Sequence, residues 1–316
     1  MNYKILVATR SFGSTSSKPW DVLNQVGCVL VKADMSQKMS EERLIGLLQG
    51  VDGAIIGVVP MTAHVLENAP ALKVVSMHGV GVDHIDLTAA ARRGVVIANC
   101  LGTNDQSVAD LTIGLMISIA RNIPSVDSKL RHAGWGTHAG NELWKKTIGL
   151  VGLGRIGRGV AKRALGFDMQ VLAYDPYVKS SEVEQGISLV SFDEVLKEAD
   201  YISLHAALSE ETRHMIGAAQ LKAMKPTAYL INTARGALVD EDALYNALAQ
   251  KQIAGAALDV FNEEPPKDSP LLQLENLVIT PHIGAHTRES IERMGVMAAE
   301  NVLQTLQGGA PHYRVA

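Results

Sequence analysis

Thr147-Ile148-Gly149-Leu150-Val151-Gly152-Leu153-Gly154-Arg155-Ile156-Gly157 is an apolar run that opens into glycines spaced G-x-G-x-x-G. The run up to Val151 suits a strand buried on both faces, and Ile156 to Gly166 suits the helix that follows it. A second short apolar stretch, Gln170 to Tyr174, ends in Asp175, which lies 18 residues beyond Gly157. The dinucleotide-binding fingerprint places an acid at about 20. Each glycine has a physical task there. Gly152 permits the tight turn, Gly154 lets backbone approach a pyrophosphate, and Gly157 lets helix and strand pack closely. The helix N-terminus faces the phosphates, and Asp175 is set to accept hydrogen bonds from the ribose hydroxyls. A glycine turn without a ligand is the bland alternative, and the strand, helix and acid in sequence favour the nucleotide.

Outward from this motif, short apolar runs alternate with amphipathic stretches almost from end to end. Expected strands are Ile5–Ala8, Ala54–Ile56, Val74–Met77, Val95–Ala98, Ile148–Val151, Val171–Tyr174, Tyr201–Leu204, Ala228–Ile231, Gly255–Leu258 and Leu277–Ile279. Ser40, followed by Glu41 and Glu42, opens one helix, with Gly50 just beyond its end. Asp240-Glu241-Asp242 opens another in the same way. Long helices are expected from Ser107 to about Arg121, with Ser107 as the cap and Asp110 as a capping-box acid, and from about Arg288 to Leu306. Such alternation implies parallel sheets with right-handed crossovers. The glycine motif begins only mid-chain, so it belongs to a second α/β unit.

A length of 316 residues corresponds to roughly two domains and needs no metal or disulfide to hold a core. There are 29 basic and 33 acidic residues, a net charge of −4, which is no footprint for nucleic acid or anionic membrane. Cys28 and Cys100 make neither a disulfide framework nor a zinc motif. The start carries no signal-peptide pattern, and the most apolar helical stretch, Val108 to Ala120, carries Asp110 and is too short to span a bilayer. A cytoplasmic protein is expected.

Three later motifs share one placement. Asn232-Thr233-Ala234-Arg235-Gly236, Asp259-Val260-Phe261-Asn262-Glu263-Glu264-Pro265 and Thr280-Pro281-His282-Ile283-Gly284 each follow an expected strand. Ligands of doubly wound sheets bind beyond the carboxyl ends of strands. Arginine, glutamate and histidine there can supply an anion clamp, an orienting carboxylate and a proton donor. His282 and His286 are four apart, but Pro281 and Gly284 favour a loop, and no metal is expected.

With these motifs the chain resembles the D-2-hydroxyacid dehydrogenase family, which includes phosphoglycerate dehydrogenases and hydroxypyruvate and glyoxylate reductases. The resemblance also rests on Val80-Gly81-Val82-Asp83-His84-Ile85-Asp86, Ser107-Val108-Ala109-Asp110, Leu204-His205 and Glu211-Thr212, and it covers nearly the whole chain. It implies two Rossmann-like, doubly wound α/β domains, with a cofactor domain at 103–284 inserted into a substrate domain of 1–102 and 285–316. The implied catalytic residues are Arg235, Glu264 and His282. The implied nucleotide contacts are Gly152, Gly154, Arg155, Ile156, Gly157, Asp175, His205, Thr212, Thr233, Ala234, Asp259 and Gly284. The backbone of Val80 and Gly81, with Arg235 and His282, is implied to hold the substrate. NAD as cofactor and a homodimer are expected, without nucleic acid or membrane partners. The alternative is an NAD(H)-sensing, corepressor-like binding protein of the same fold.

Some positions depart from the family pattern. Leu204-His205-Ala206-Ala207-Leu208 lacks the usual proline, and Asp110 stands where glutamate is usual. Where phosphoglycerate dehydrogenases carry Arg-Ser, this chain has Val59-Pro60, so a phosphate would find no donor there. Arg10, after the first strand, is a candidate for a second anionic group of a small polar 2-hydroxy or 2-oxo acid; its alternative is a solvated loop residue. His78 and His84 flank the Val80-Gly81 loop, and His138 lies in a glycine- and tryptophan-containing stretch that in the family is a dimer arm.

Overall fold

Strand–helix alternation organises the computed structural model, which describes residues 3–316. The chain opens with β1 (Lys4–Ala8), α1 (Lys18–Gln25), β2 (Val29–Lys32), α2 (Glu41–Leu48), β3 (Gly53–Ile56), α3 (Ala63–Glu67), β4 (Val74–Met77), α4 (Leu87–Arg93) and β5 (Val96–Ala98). It continues with α5 (Asp105–Ala120), α6 (Ile123–Ala133), β6 (Thr147–Val151), α7 (Arg155–Leu165), β7 (Gln170–Tyr174), β8 (Ile187–Leu189), α8 (Phe192–Glu198) and β9 (Tyr201–Leu204). The last elements are α9 (Ala218–Ala223), β10 (Tyr229–Asn232), α10 (Glu241–Ala249), β11 (Gly255–Leu258), β12 (Leu277–Ile279) and α11 (Arg288–Leu306). Two units result: one runs to Asn104 and includes Ala285–Ala316, and the other is Asp105–Gly284.

The first unit holds a five-stranded parallel sheet in the order β2-β1-β3-β4-β5. Alternate residues of β1 enter opposite cores. Leu6 and Ala8 pack with Leu44, Leu48, Val65 and Leu66, while Ile5 and Val7 pack with Leu23, Met294 and Val302. Helices therefore cover both faces, which is why β1 and β3 read as unbroken apolar runs. Each such side chain taken out of water contributes about 1.5–3 kcal/mol. The helix starts follow the capping chemistry. Ser40 Oγ accepts the Arg43 N–H, and the Asp240 carboxylate accepts the Ala243 N–H. Gly50 takes the left-handed conformation beyond α2, with φ +67°.

The second unit holds seven parallel strands in the order β12-β11-β10-β9-β6-β7-β8. The chain leaves β6 toward β7 and later returns on the other side as β9, so strand order reverses between β6 and β9. The first unit reverses in the same way between β1 and β3. Among the described residues, no helix is long and apolar enough to cross a membrane.

Two strands, β2 and β8, were not legible in the sequence. Both lie at a sheet edge, and their side chains are mostly half-exposed. In β8, Ser188 interrupts the apolar pattern that marks its buried neighbours, whereas β2 carries the short apolar run Val29-Leu30-Val31 and ends in Lys32. The start of α5 also differs from expectation. The helix begins at Asp105, so Ser107 sits buried in its first turn and is not the cap. Asp110 is not a capping acid either: it pairs with Arg163 at 2.6 Å across to α7.

Candidate active site

The turn after β6 is built by close backbone approach. Gly152 has φ +98°, and a Cβ there would come within 2.7 Å of the His205 backbone. A Cβ on Gly157 would meet the Gly152 carbonyl oxygen at 2.2 Å. Alanine at either site would force the turn open. Gly154 differs: nothing lies within 4 Å of its missing Cβ, and no side chain caps α7 at this N-cap. Helix N–H groups without intrahelical partners face open space there. Asp175 Oδ2 accepts the Leu153 N–H at 2.9 Å and Oδ1 accepts the Tyr177 N–H at 2.9 Å, which fixes the acid beside the glycine turn. An open, uncapped helix start next to a fixed acid at a strand-order reversal fits a dinucleotide.

Other expected nucleotide contacts fall around the same crevice, several with structural partners of their own. Arg155 opens α7, and its Nε donates to Asp105 Oδ2 at 2.6 Å. Ile156 packs against the core beneath α7. His205 Nε2 lies 2.9 Å from Ser203 Oγ, and burial pushes the ring down to about 4, so it is neutral at pH 7. Thr212 Oγ1 donates to the Ala207 carbonyl and accepts the Ser209 N–H, both at 2.7 Å. This hydroxyl bridge restrains the loop at the place where the expected proline is missing. Thr233 is buried, with its hydroxyl 2.9 Å from that of Thr112 in α5.

Arg235, Glu264 and His282 come from loops after three neighbouring strands, β10, β11 and β12. The Asn232 side chain shapes the first loop: it accepts the Ala234 N–H at 3.1 Å and donates to the Arg235 carbonyl at 2.8 Å. Gly236 then passes against the second loop, where a Cβ would lie 2.0 Å from the Phe261 carbonyl carbon. Glu264 Oε1 accepts the Phe261 N–H at 3.1 Å. Asp259, buried at the end of β11, staples the third loop. It accepts the Thr280 hydroxyl at 2.6 Å and the Ile283 and Gly284 N–H groups, both at 2.8 Å. His282 sits in the left-handed region, with φ +52°. Its N–H donates to the Asp259 carbonyl at 2.8 Å. A histidine held at positive φ by its surroundings is the kind of backbone strain that clusters at active sites.

The result is a direct pair. His282 Nδ1 lies 2.7 Å from Glu264 Oε2. The hydrogen bond that His282 donates to Glu264 raises the histidine above its usual 6.5, outweighing its partial burial, and the Glu264 and Asp259 charges add to the rise. For Glu264, burial pulls the carboxyl upward, but the His282 hydrogen bond and charge, the Phe261 N–H and the Arg235 charge together bring it below 4.5. The Arg235 charge also acts on His282, so all three side chains lie within electrostatic reach. Such a site favours the protonated imidazole, with Nε2 left for a reacting oxygen.

In the first unit, the Val80 carbonyl accepts Asn99 Nδ2 at 2.8 Å, and the Gly79 carbonyl accepts the Cys100 N–H at 2.8 Å. The N–H groups of Val80 and Gly81 make no hydrogen bond among the described residues. His78 is buried, and burial pushes it down to about 4; its Nδ1 meets Ser11 Oγ at 3.1 Å. Arg10 Nε donates to the Met35 carbonyl at 2.7 Å. Val59 is core, at 2% exposure, whereas Val58 is 77% exposed. His138 pairs with Asn122. His282 and His286 both lie in the loop between β12 and α11. Sequence reasoning missed Asn232, Thr112 and Asp105 as supports. Only Asn232 carried a signal, since asparagine at a strand end commonly folds a turn onto its own backbone.

Residues 113–284 match the family profile described as D-isomer specific 2-hydroxyacid dehydrogenase, NAD binding domain. The chain is 42% identical over 292 residues to a D-3-phosphoglycerate dehydrogenase of Methanocaldococcus jannaschii, covering 91% of this chain and 55% of the relative. It therefore spans about half the length of that relative. It is 43% identical over 260 residues to a glyoxylate reductase of Korarchaeum cryptofilum, covering 80% and 78%. The TT0316 protein of Thermus thermophilus superposes with a TM-score of 0.91 at 38% identity, over 99% of this chain and all of that one. A shared fold and identity of this level over most of the sequence lead to one conclusion: the chain belongs to the D-isomer specific 2-hydroxyacid dehydrogenase family and carries its NAD-binding domain.

Proposed function

We propose that the protein is an NAD-dependent dehydrogenase of small polar 2-hydroxy acids, such as a 3-phosphoglycerate-like compound, working in the opposite direction as a reductase of 2-oxo acids such as hydroxypyruvate or glyoxylate. The observation that carries this reading is the 2.7 Å His282–Glu264 pair within electrostatic reach of Arg235. The nicotinamide, when bound, supplies or accepts the hydride at the substrate C2. His282 donates a proton from Nε2 to the oxygen that becomes negative, and takes it back in the oxidative direction. Glu264 holds the ring through Nδ1 and stabilises its protonated form. Arg235 grips the substrate carboxylate through parallel hydrogen bonds, which orients the carbonyl. On this reading the unit Asp105–Gly284 binds the nucleotide.

Asp175 supports NAD over NADP. A 2′-phosphate beside this carboxylate at 4 Å would be repelled by about 4 kcal/mol at an effective dielectric of 20. A homodimer is supported by Ile123, Leu130 and Trp135, which are 44%, 55% and 89% exposed around a cavity of about 350 Å³ on α6 and the segment after it. An apolar patch of this kind suits a second copy of the chain. The test of the activity is turnover of a panel of 2-oxo acids, followed by loss of NADH absorbance. Oxidation of NADH with at least one small polar acid is expected. Silence across the panel, with NADH bound, contradicts the reading.

A further inference from the structure

Glu264 reaches His282 from a loop that burial does not hold. Phe261, just after β11, is packed into the core, but residues 262–265 are all exposed. An exposed segment without packed side chains keeps one shape only where its backbone is tied. Phe261 and Asn262 have two such ties. Gly236 passes so closely that a Cβ there would lie 2.3 Å from the Phe261 carbonyl oxygen and 2.4 Å from the Asn262 nitrogen. The Asn262 N–H donates to Glu241 Oε1 at 2.6 Å. A carboxylate that accepts a backbone N–H makes one of the stronger bonds available to a loop.

Glu241 is a fixed point for this purpose. It is the first residue of α10, and Asp240 before it caps the helix by accepting the Ala243 N–H at 3.0 Å. The Asp240 N–H donates to the Ile216 carbonyl at 3.0 Å, and Leu244 in the first turns is fully buried. The helix start therefore cannot drift. One short segment, with the turn Gly236–Leu238 inside it, carries Arg235 at one end and Glu241 at the other. On the far side of the tie, the Phe261 N–H meets Glu264 Oε1 at 3.1 Å, which leaves Oε2 for His282 at 2.7 Å. Contact thus runs from Glu241 through Asn262 and Phe261 to Glu264 and His282. An acid in a first helical turn also has a plain structural use, since it complements the helix dipole. Asp242 offers the same charge to α10 and makes no hydrogen bond to this loop among the described residues.

We propose that Glu241 is a positioning residue for the proton-transfer pair: through the Asn262 N–H it fixes the loop that aims Glu264 at His282. The proposal rests on the dehydrogenase reading above and adds to it a residue that acts through Glu264. Without the tie, Glu264 spends part of its time away from the ring, and His282 loses part of the hydrogen bond and charge that raise it. The other charges on the ring stay in place: Asp259, which raises it, and Arg235, which lowers it.

The experiment titrates His282 by NMR in protein labelled with nitrogen-15 in its histidine rings, with His282→Ala to assign the signal. Wild type is compared with Glu241→Ala, Glu241→Asp, Glu241→Gln and Asp242→Ala. The pH profile of kcat/KM is recorded in the same proteins for the 2-oxo acid that wild type reduces fastest with NADH. In Glu241→Ala the His282 midpoint is expected to fall toward 6.5, and the alkaline limb of reduction moves with it. At neutral pH kcat/KM drops about three- to tenfold, the scale of one hydrogen bond, while NADH affinity is unchanged. Glu241→Asp, one methylene short of the contact, shows a smaller shift of the same sign. Glu241→Gln keeps an oxygen for the Asn262 N–H and behaves as wild type, as does Asp242→Ala. An unmoved midpoint in both Glu241→Ala and Glu241→Asp, an equal shift in Asp242→Ala, or no recovery in Glu241→Gln overturns the proposal. Absence of turnover on every acid in wild type removes the dehydrogenase reading instead, and the NMR titration then decides the positioning role alone by the same outcomes.

Discussion

His282 Nδ1 and Glu264 Oε2 lie 2.7 Å apart, although their loops follow different strands, β12 and β11. The contact uses one ring nitrogen for orientation and leaves the other for proton transfer. A glutamate in that position makes the protonated ring the stable form over a wider pH range.

Replacing His282 by alanine is expected to lower kcat by about 10²–10⁴-fold, the usual contribution of a positioned acid–base group. NADH affinity, followed by nucleotide fluorescence, should stay within about twofold, because the glycine turn and Asp175 are untouched. Wild-type turnover in His282→Ala would remove the proton-donor role.

The pH profile carries the sign of the pair. Reduction needs His282 protonated, so kcat/KM should fall as pH rises through the histidine's raised value, above 6.5. Glu264→Gln removes the charge that raises it, and the alkaline limb should move to lower pH. In the oxidative direction the deprotonated ring is needed, and the acidic limb should move the same way. A profile unmoved by Glu264→Gln would separate the two residues functionally.

Arg235→Lys keeps the charge and loses the planar fork. Both a raised KM and a lowered kcat are expected, with kcat/KM down by about 10–100-fold, equivalent to one or two charge-assisted hydrogen bonds. Steady-state kinetics on one 2-oxo acid measures it, and an effect confined to KM would mean that orientation does not depend on the fork.

Asp175→Asn removes the charge while keeping an oxygen for the Leu153 N–H. Wild type is expected to favour NADH over NADPH by on the order of a hundredfold, and the variant should narrow that ratio. Equal efficiency with both nucleotides in wild type would contradict the NAD assignment.

The buried strands were legible because burial on both faces leaves an uninterrupted apolar run, as in β1, β6 and β9. The edge β8 was not, since Ser188 breaks its run, and β2, though it carries Val29-Leu30-Val31, was missed as well. The glycine turn was readable from spacing, and the structure adds its cause in the 2.2 Å approach that a Gly157 side chain would make to Gly152. The start of α5 was misread because Ser107 has the chemistry of a cap, while tertiary packing buries it inside the helix. The supports of the site, Asp105 against Arg155 and Thr112 against Thr233, join residues 50 and 121 positions apart. No local pattern encodes contacts of that range.

The central claim is transfer between the nicotinamide and C2 of a 2-oxo acid, with His282 managing the proton. The most direct measurement uses NADH deuterated at C4 of the nicotinamide, on the face from which transfer occurs, and mass spectrometry of the product. The account predicts a 2-hydroxy acid carrying one deuterium at C2, formed at a rate that drops about 10²–10⁴-fold in His282→Ala. Product without deuterium from either labelled face, or labelled product formed equally fast by His282→Ala, would contradict it.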